Sequence, residues 1–83
     1  MNSADPIVIE ETVDASGTMC PEPVLRATQA LKGLAEGQTL CLIATDPHAE
    51  LDIEVFCART GHRLLHQEVQ NEKLTFWIQK KRT

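Results

Sequence analysis

The chain has 83 residues, 42 % of them apolar, and a formal net charge of −4. A domain of this size buries only roughly 60–65 % of the surface its unfolded chain exposes, which argues against a deep, enclosed active site and puts chemistry at the surface. The acidic balance disfavours direct nucleic-acid binding, which needs a cationic footprint to displace counterions.

Residues 1–6 read as a disordered tail, followed by a single domain over 7–83. The N-terminus has no positive region leading into an apolar run, so it does not read as a signal peptide. The longest purely apolar run, Leu40 to Ala44, is too short to cross a bilayer. The expected location is the cytoplasm, where thiols stay reduced.

Ile7 to Asp14 reads as a first strand, with Ile9 and Val13 on one face. Ala15-Ser16-Gly17-Thr18 is a loop. From Pro21 or Pro23 to about Leu34 the period becomes helical, with a stripe of Val24, Ala27 or Thr28, Leu31 and Leu34. Proline suits a first helical turn, where its missing N–H has no intrahelical partner. Gly37 marks the next turn.

Thr39 to Thr45 reads as a second strand. Leu40, Leu42 and Ala44 lie on one face; Cys41 and Ile43 lie on the other, with Trp77. Asp46-Pro47 predicts a second helix, with Asp46 as N-cap and Pro47 in the first helical position. Its apolar stripe is Ala49, Ile53, Phe56 and Cys57, and Gly61 ends it. Arg63 to Val69 and Lys73 to Lys80 are two strands around the turn Gln70-Asn71-Glu72. Leu74, Phe76 and Ile78 alternate cleanly, whereas the facing of Leu64 and Leu65 is ambiguous. The C-terminal cluster Lys80-Lys81-Arg82 reads as a solvated tail.

The order β-α-β-α-β-β, with right-handed crossovers, predicts a two-layer α/β sandwich. Both helices cover one face of a mixed four-stranded sheet, and the other face is open.

The three cysteines, Cys20, Cys41 and Cys57, form no C-x-x-C and have no zinc-finger spacing with histidine. Cys57 falls on the apolar stripe of the second helix and reads as a buried structural thiol. Cys41 belongs to an apolar patch on the open sheet face, read either as partly covered surface or as a docking face that carries a second reactive thiol. His48, His62 and His66 have no ligand-like spacing, with the last two flanking the third strand. No histidine is placed to serve Cys20 as the base of a Cys-His hydrolase.

Cys20 is different. It precedes a helix N-terminus, whose unpaired N–H groups and positive dipole end favour a thiolate. An ordinary thiol, with a pKa of about 8.5, is only a few per cent ionised at neutral pH. The Glu22 carboxylate two residues away opposes ionisation. The balance predicts a moderately activated cysteine. Pro21 and Pro23 fix φ and stiffen the turn that bears the sulfur. The same prolines would suit a purely structural turn, and spacing alone leaves both readings open.

The run Val13-Asp14-Ala15-Ser16-Gly17-Thr18-Met19-Cys20-Pro21-Glu22-Pro23-Val24-Leu25 resembles the signature of the TusA/SirA family of sulfur carriers, a Cys-Pro-x-Pro motif opening helix one. The resemblance continues through Gly37, Thr45-Asp46-Pro47, Asp52-Ile53, Phe56-Cys57 and an aromatic last strand ending in basic residues. It covers the chain after about Glu11. The chain departs from it at Glu54, where several members have proline.

The resemblance implies the fold already described and a sulfurtransferase of the carrier type. Cys20 is then the persulfide bearer, and Pro21, Glu22 and Pro23 are its motif frame. The implied donor is a cysteine desulfurase, itself pyridoxal-phosphate dependent. The implied acceptor is a TusBCD-like or other relay protein, leading to 2-thiolation of tRNA wobble uridine. Other branches of the family deliver sulfur for molybdenum-cofactor biosynthesis or sulfur oxidation. The carrier itself is expected to be a monomer that needs no metal or cofactor, since the sulfur rides covalently on Cys20, and to touch neither nucleic acid nor membrane. Two alternatives remain: a non-catalytic module that binds partners through the open sheet face, and a thiol redox protein, which would lack the resolving cysteine of a C-x-x-C.

Overall fold

The computed structural model describes residues 7–82, so the predicted tail over 1–6 lies outside the described residues. Six elements follow in the expected order: β1 (Glu11–Asp14), α1 (Glu22–Lys32), β2 (Thr39–Ala44), α2 (Ala49–Thr60), β3 (Arg63–Gln70) and β4 (Lys73–Gln79). The sheet order is β1-β2-β4-β3. β1 runs parallel to β2, and β4 lies antiparallel to both β2 and β3. Among the described residues no helix is long and apolar enough to cross a membrane.

Alternation in β2 and β4 builds the floor of the core. Leu40, Leu42 and Ala44 lie opposite Ile78, Phe76 and Leu74 on one sheet face, and all six are buried. On this floor pack Ala27, Ala30 and Leu31 of α1 with Ala49, Ile53 and Cys57 of α2, so both helices cover the same face. Ala27 rather than Thr28 faces the core. The Thr28 hydroxyl instead donates to the Val24 carbonyl at 2.8 Å, within the helix.

Several boundaries differ from the sequence reading, each for a local reason. β1 begins at Glu11, not Ile7. Its pairing partner β2 starts only at Thr39, so Ile7, Val8 and Ile9 have no strand beside them and remain exposed. The Glu10 carboxylate accepts the Thr39 N–H at 2.6 Å and closes the end of the pair. α2 begins at Ala49, with His48 at the N-cap, because Asp46 turns the chain before the helix. Its Oδ1 accepts the His48 N–H at 3.0 Å and its carbonyl accepts the Ala49 N–H at 2.9 Å.

The hairpin turn has two residues rather than three. Asn71 and Glu72 both take positive φ, as the two central positions of a type I′ turn require. The register of β3 shifts between Leu64 and His66, leaving Leu65 as a bulge. Leu64 therefore faces the helices opposite Ile78, and His66 moves to the other face opposite Trp77. His66 thus lies within β3 instead of flanking it. Its ring packs on Trp77 at 5.1 Å, and Cys41, the next residue across from Trp77, is only 6 % exposed. The open face is less open at Cys41 than alternation suggested.

The C-terminal residues are also tied down. The Lys80 carbonyl accepts the Gly37 N–H, the Lys80 ammonium donates to the Leu34 carbonyl at 2.7 Å, and the Lys81 N–H donates to His62 Nδ1.

Gly61 ends α2 in the left-handed region at φ 88°, with its N–H on the Cys57 carbonyl. Gly61→Ala is expected to cost about 1 kcal/mol, because a Cβ is disfavoured at this φ. Thermal unfolding would then fall by roughly 4–8 °C. An unchanged midpoint would show that the helix end relaxes out of this conformation.

Candidate functional site

Parallel β1 and β2 end side by side, so the loops that follow them meet at one end of the sheet, the usual place for a site in α/β folds. The first loop carries Cys20. It is fixed at several points: the Ala15 N–H donates to the Ile43 carbonyl, the Ser16 N–H to Asp14 Oδ1, and the Thr18 hydroxyl to the Ala15 carbonyl. The second loop holds the first across the gap. Thr45 Oγ1 accepts the Gly17 N–H at 2.9 Å, and Asp46 Oδ2 accepts the Cys20 N–H at 2.6 Å.

Cys20 itself is exposed, whereas Cys41 and Cys57 are buried. The Cys20–Pro21 peptide is cis. α1 starts at Glu22, with Pro21 at the N-cap and Pro23 buried in the first turn. The Glu22 carboxylate points along the helix to Arg26 at 3.2 Å, so part of its charge is met there.

The electrostatics correct the sequence reading. The Cys20 thiol is held above its ordinary pKa, first by a hydrogen bond to the Asp52 carboxylate, then by desolvation and by the charges of Asp52 and Asp46. A carboxylate that accepts from the thiol stabilises the protonated form. The helix N-terminus is present, but two acidic side chains oppose it. At neutral pH the free protein therefore presents a thiol rather than a partly ionised thiolate. Burial also pushes Cys41 up and raises Cys57 to about 11.

Asp46 shows the opposite behaviour. Its side chain is 8 % exposed, and the His48 and Cys20 N–H groups hold its carboxyl below the ordinary range. It is ionised at neutral pH and keeps the backbone of Cys20 in place. No histidine acts on the Cys20 thiol: His48 sits beside Asp46, His62 packs on Phe56 and His66 packs on Trp77.

A groove of about 570 Å³ runs from Cys20 between the helices, lined by Val24, Leu51, Asp52, Val55, Phe56 and Arg59 among others. Leu51 and Val55 are 65 % and 44 % exposed, an apolar surface directly beside the sulfur.

The sequence reading singled out Cys20 and its frame but gave Asp52 no role and Asp46 only a capping role. Asp52 lies 32 positions from Cys20 in the chain. The available signal was topological: parallel β1 and β2 oblige the first turn of α2 to lie beside the Cys20 loop.

Asp52→Asn is expected to lower the Cys20 pKa, because the charge goes and the hydrogen bond weakens. Well below its pKa, a thiol's ionised fraction rises tenfold for each unit that the pKa falls. Alkylation of Cys20 by iodoacetamide at neutral pH should therefore accelerate severalfold, with the pH–rate profile displaced to lower pH. A profile that stays in place or moves upward would remove Asp52 from the site.

Comparison with known proteins places these features in a group. The family model described as Sulfurtransferase TusA matches residues 11–80. The Sulfur carrier protein TusA of Pseudomonas entomophila is 41 % identical over 75 residues, spanning 90 % of this chain and 94 % of that one. The protein of the same name from Pseudomonas putida strain GB-1 is 43 % identical over 72 residues, 87 % of this chain and 90 % of that one. Among solved structures, a SirA-like protein from Desulfitobacterium hafniense superposes with a TM-score of 0.75 at 26 % identity, covering 87 % of this chain and 99 % of that one.

Proposed function

The chain belongs to the TusA sulfurtransferase family, and from that premise we propose that it carries sulfur as a persulfide on Cys20, between a donor and an acceptor protein. The observation that supports this most is that Cys20 is the exposed thiol of the three, offered on a braced loop beside an apolar groove. The donor is a cysteine desulfurase. The acceptor is a TusBCD-like or other relay protein on the way to tRNA wobble-uridine 2-thiolation. Molybdenum-cofactor or sulfur-oxidation branches would use the same step at Cys20 and differ only in the acceptor.

Once Cys20 is ionised, its thiolate attacks the terminal sulfur of the donor's persulfide. The donor's S–S bond breaks, its electron pair leaves on the donor's cysteine sulfur, and a new S–S bond forms on Cys20. In delivery, the acceptor's thiolate attacks that terminal sulfur and Cys20 leaves as a thiolate. Each step is thiol exchange, with no net oxidation and no need of a metal or cofactor on the carrier. Asp52 keeps the unloaded thiol protonated. Docking of a cationic donor surface would offset the carboxylate and release the nucleophile, which confines reactivity to the complex. Transfer inside protein complexes in the cytoplasm fits both this arrangement and the acidic net charge.

The test is to incubate the protein with a cysteine desulfurase, pyridoxal phosphate and cysteine and to measure its mass. The expected result is a gain of one sulfur atom on the Cys20 peptide, reversed when an acceptor protein is added. Failure to gain sulfur from several desulfurases would refute the carrier reading.

A further inference from the structure

The groove beside Cys20 does not end with α2. Phe56 and Thr60 line both it and a second hollow of about 250 Å³, which is walled by Lys32, Lys80 and Lys81 as well as His62. The two hollows adjoin at these shared residues, so together they make a long surface furrow beside α2. The 12 residues of α2 give it a length of about 18 Å at 1.5 Å per residue.

Charge is distributed unequally along it. Asp52 and Asp46 stand at the Cys20 end. Arg59, Lys32, Lys80 and Lys81 stand at the other, and among the described residues none of these four cations forms an ion pair with a carboxylate. Half of the chain's 8 lysines and arginines thus line the far end of the groove or the hollow that adjoins it, in a protein of net charge −4. Leu51 beside the acidic pole and Val55 between the two poles leave exposed apolar surface uncovered.

Resting on the carrier reading, we propose that the partner segment bearing the reacting cysteine lies lengthwise in this furrow in one fixed direction, basic beside its cysteine and acidic about three helical turns away. The furrow is shallow and its apolar side chains are exposed, which suits a protein segment laid along α2 better than a small ligand enclosed on most sides. Opposed charge at the two poles makes the reversed orientation repulsive at both ends, so the field selects direction as well as rate. The basic pole also gives the tethered C-terminal residues a role beyond ending the last strand.

Two synthetic helical peptides of equal composition test this. Each has a single cysteine activated as its thionitrobenzoate mixed disulfide, followed by an apolar stripe. One has lysines beside the cysteine and glutamates three turns on; the other has these charges exchanged. The Cys20 thiolate attacks the peptide's sulfur, the thionitrobenzoate anion leaves, and its absorbance gives the rate. At low salt the first peptide should react about tenfold faster than the second, and the ratio should collapse at high salt. In the double variant Arg59→Glu, Lys81→Glu, both exposed positions, the preference should diminish or invert while the circular dichroism stays unchanged. Equal rates for the two peptides with the wild-type protein, or an undiminished preference in the folded double variant, would overturn the proposal. No persulfide takes part, so a protein that keeps the polarity but never gains sulfur from a desulfurase refutes the carrier reading alone.

Discussion

Cys20→Ser is expected to take up no sulfur from a desulfurase, with loading at background by intact mass. A serine hydroxyl fits the same exposed position, and the backbone N–H bond to Asp46 does not depend on the side chain. Fold and stability should therefore be nearly unchanged, within roughly 0.5 kcal/mol as for other surface substitutions. Only the chemistry is lost: the hydroxyl has no accessible anion at neutral pH and cannot hold sulfane sulfur in an S–S bond. The two remaining cysteines offer no substitute. Cys41 and Cys57 are each 6 % exposed. A thiol raised to about 11, as Cys57 is, ionises at pH 7 to only about one part in ten thousand. Full loading of Cys20→Ser would move the sulfur to an interior cysteine and end the reading of Cys20 as the carrier.

The second large effect is structural. Phe76→Ala is expected to destabilise the protein by about 3–5 kcal/mol, the usual range for removing a buried phenylalanine ring. Phe76 is 1 % exposed and lies between Leu42 of β2 and Gln67 of β3, beneath the helix layer. It is the largest of the fully buried side chains, in a core that a chain of this length keeps thin. Small domains have only about 5–15 kcal/mol in total, so the variant should unfold at far lower urea, or be largely unfolded without it. A loss below about 1 kcal/mol would show that the helices close over the vacated space.

The contrast between these substitutions follows from placement. Cys20 projects from a loop braced by hydrogen bonds that do not use its own side chain, so its chemistry can be removed without touching the core. Phe76 sits on the buried face of β4 within the core cluster, so packing fails when it goes.

Much of this was legible in the residues. The stripe of Ala27 and Leu31 and that of Ala49, Ile53 and Cys57 repeat with the helical period, and Leu74, Phe76 and Ile78 repeat with the period of a strand. Such patterns are local, because side-chain direction follows from the backbone of the same element. The prolines at 21 and 23 marked the start of α1 and so put Cys20 at a helix mouth, and Gly61 marked the end of α2.

What the residues could not show depended on neighbours far along the chain. β1 is short because β2 has no earlier residue to pair with it. Cys41 is covered because Trp77 lies across from it with His66 packed on the ring. The Lys80–Arg82 run is tethered because Leu34, Gly37 and His62 lie within reach. The sign of the Cys20 pKa shift changed for the same reason. Its helix favours the thiolate, but the Asp52 hydrogen bond and the charges of Asp52 and Asp46 favour the thiol. Local order determined that Cys20 is an exposed cysteine at a helix start. Only the tertiary structure decided its protonation, since electrostatic interactions act through space and two parallel strands bring residues 20, 46 and 52 together.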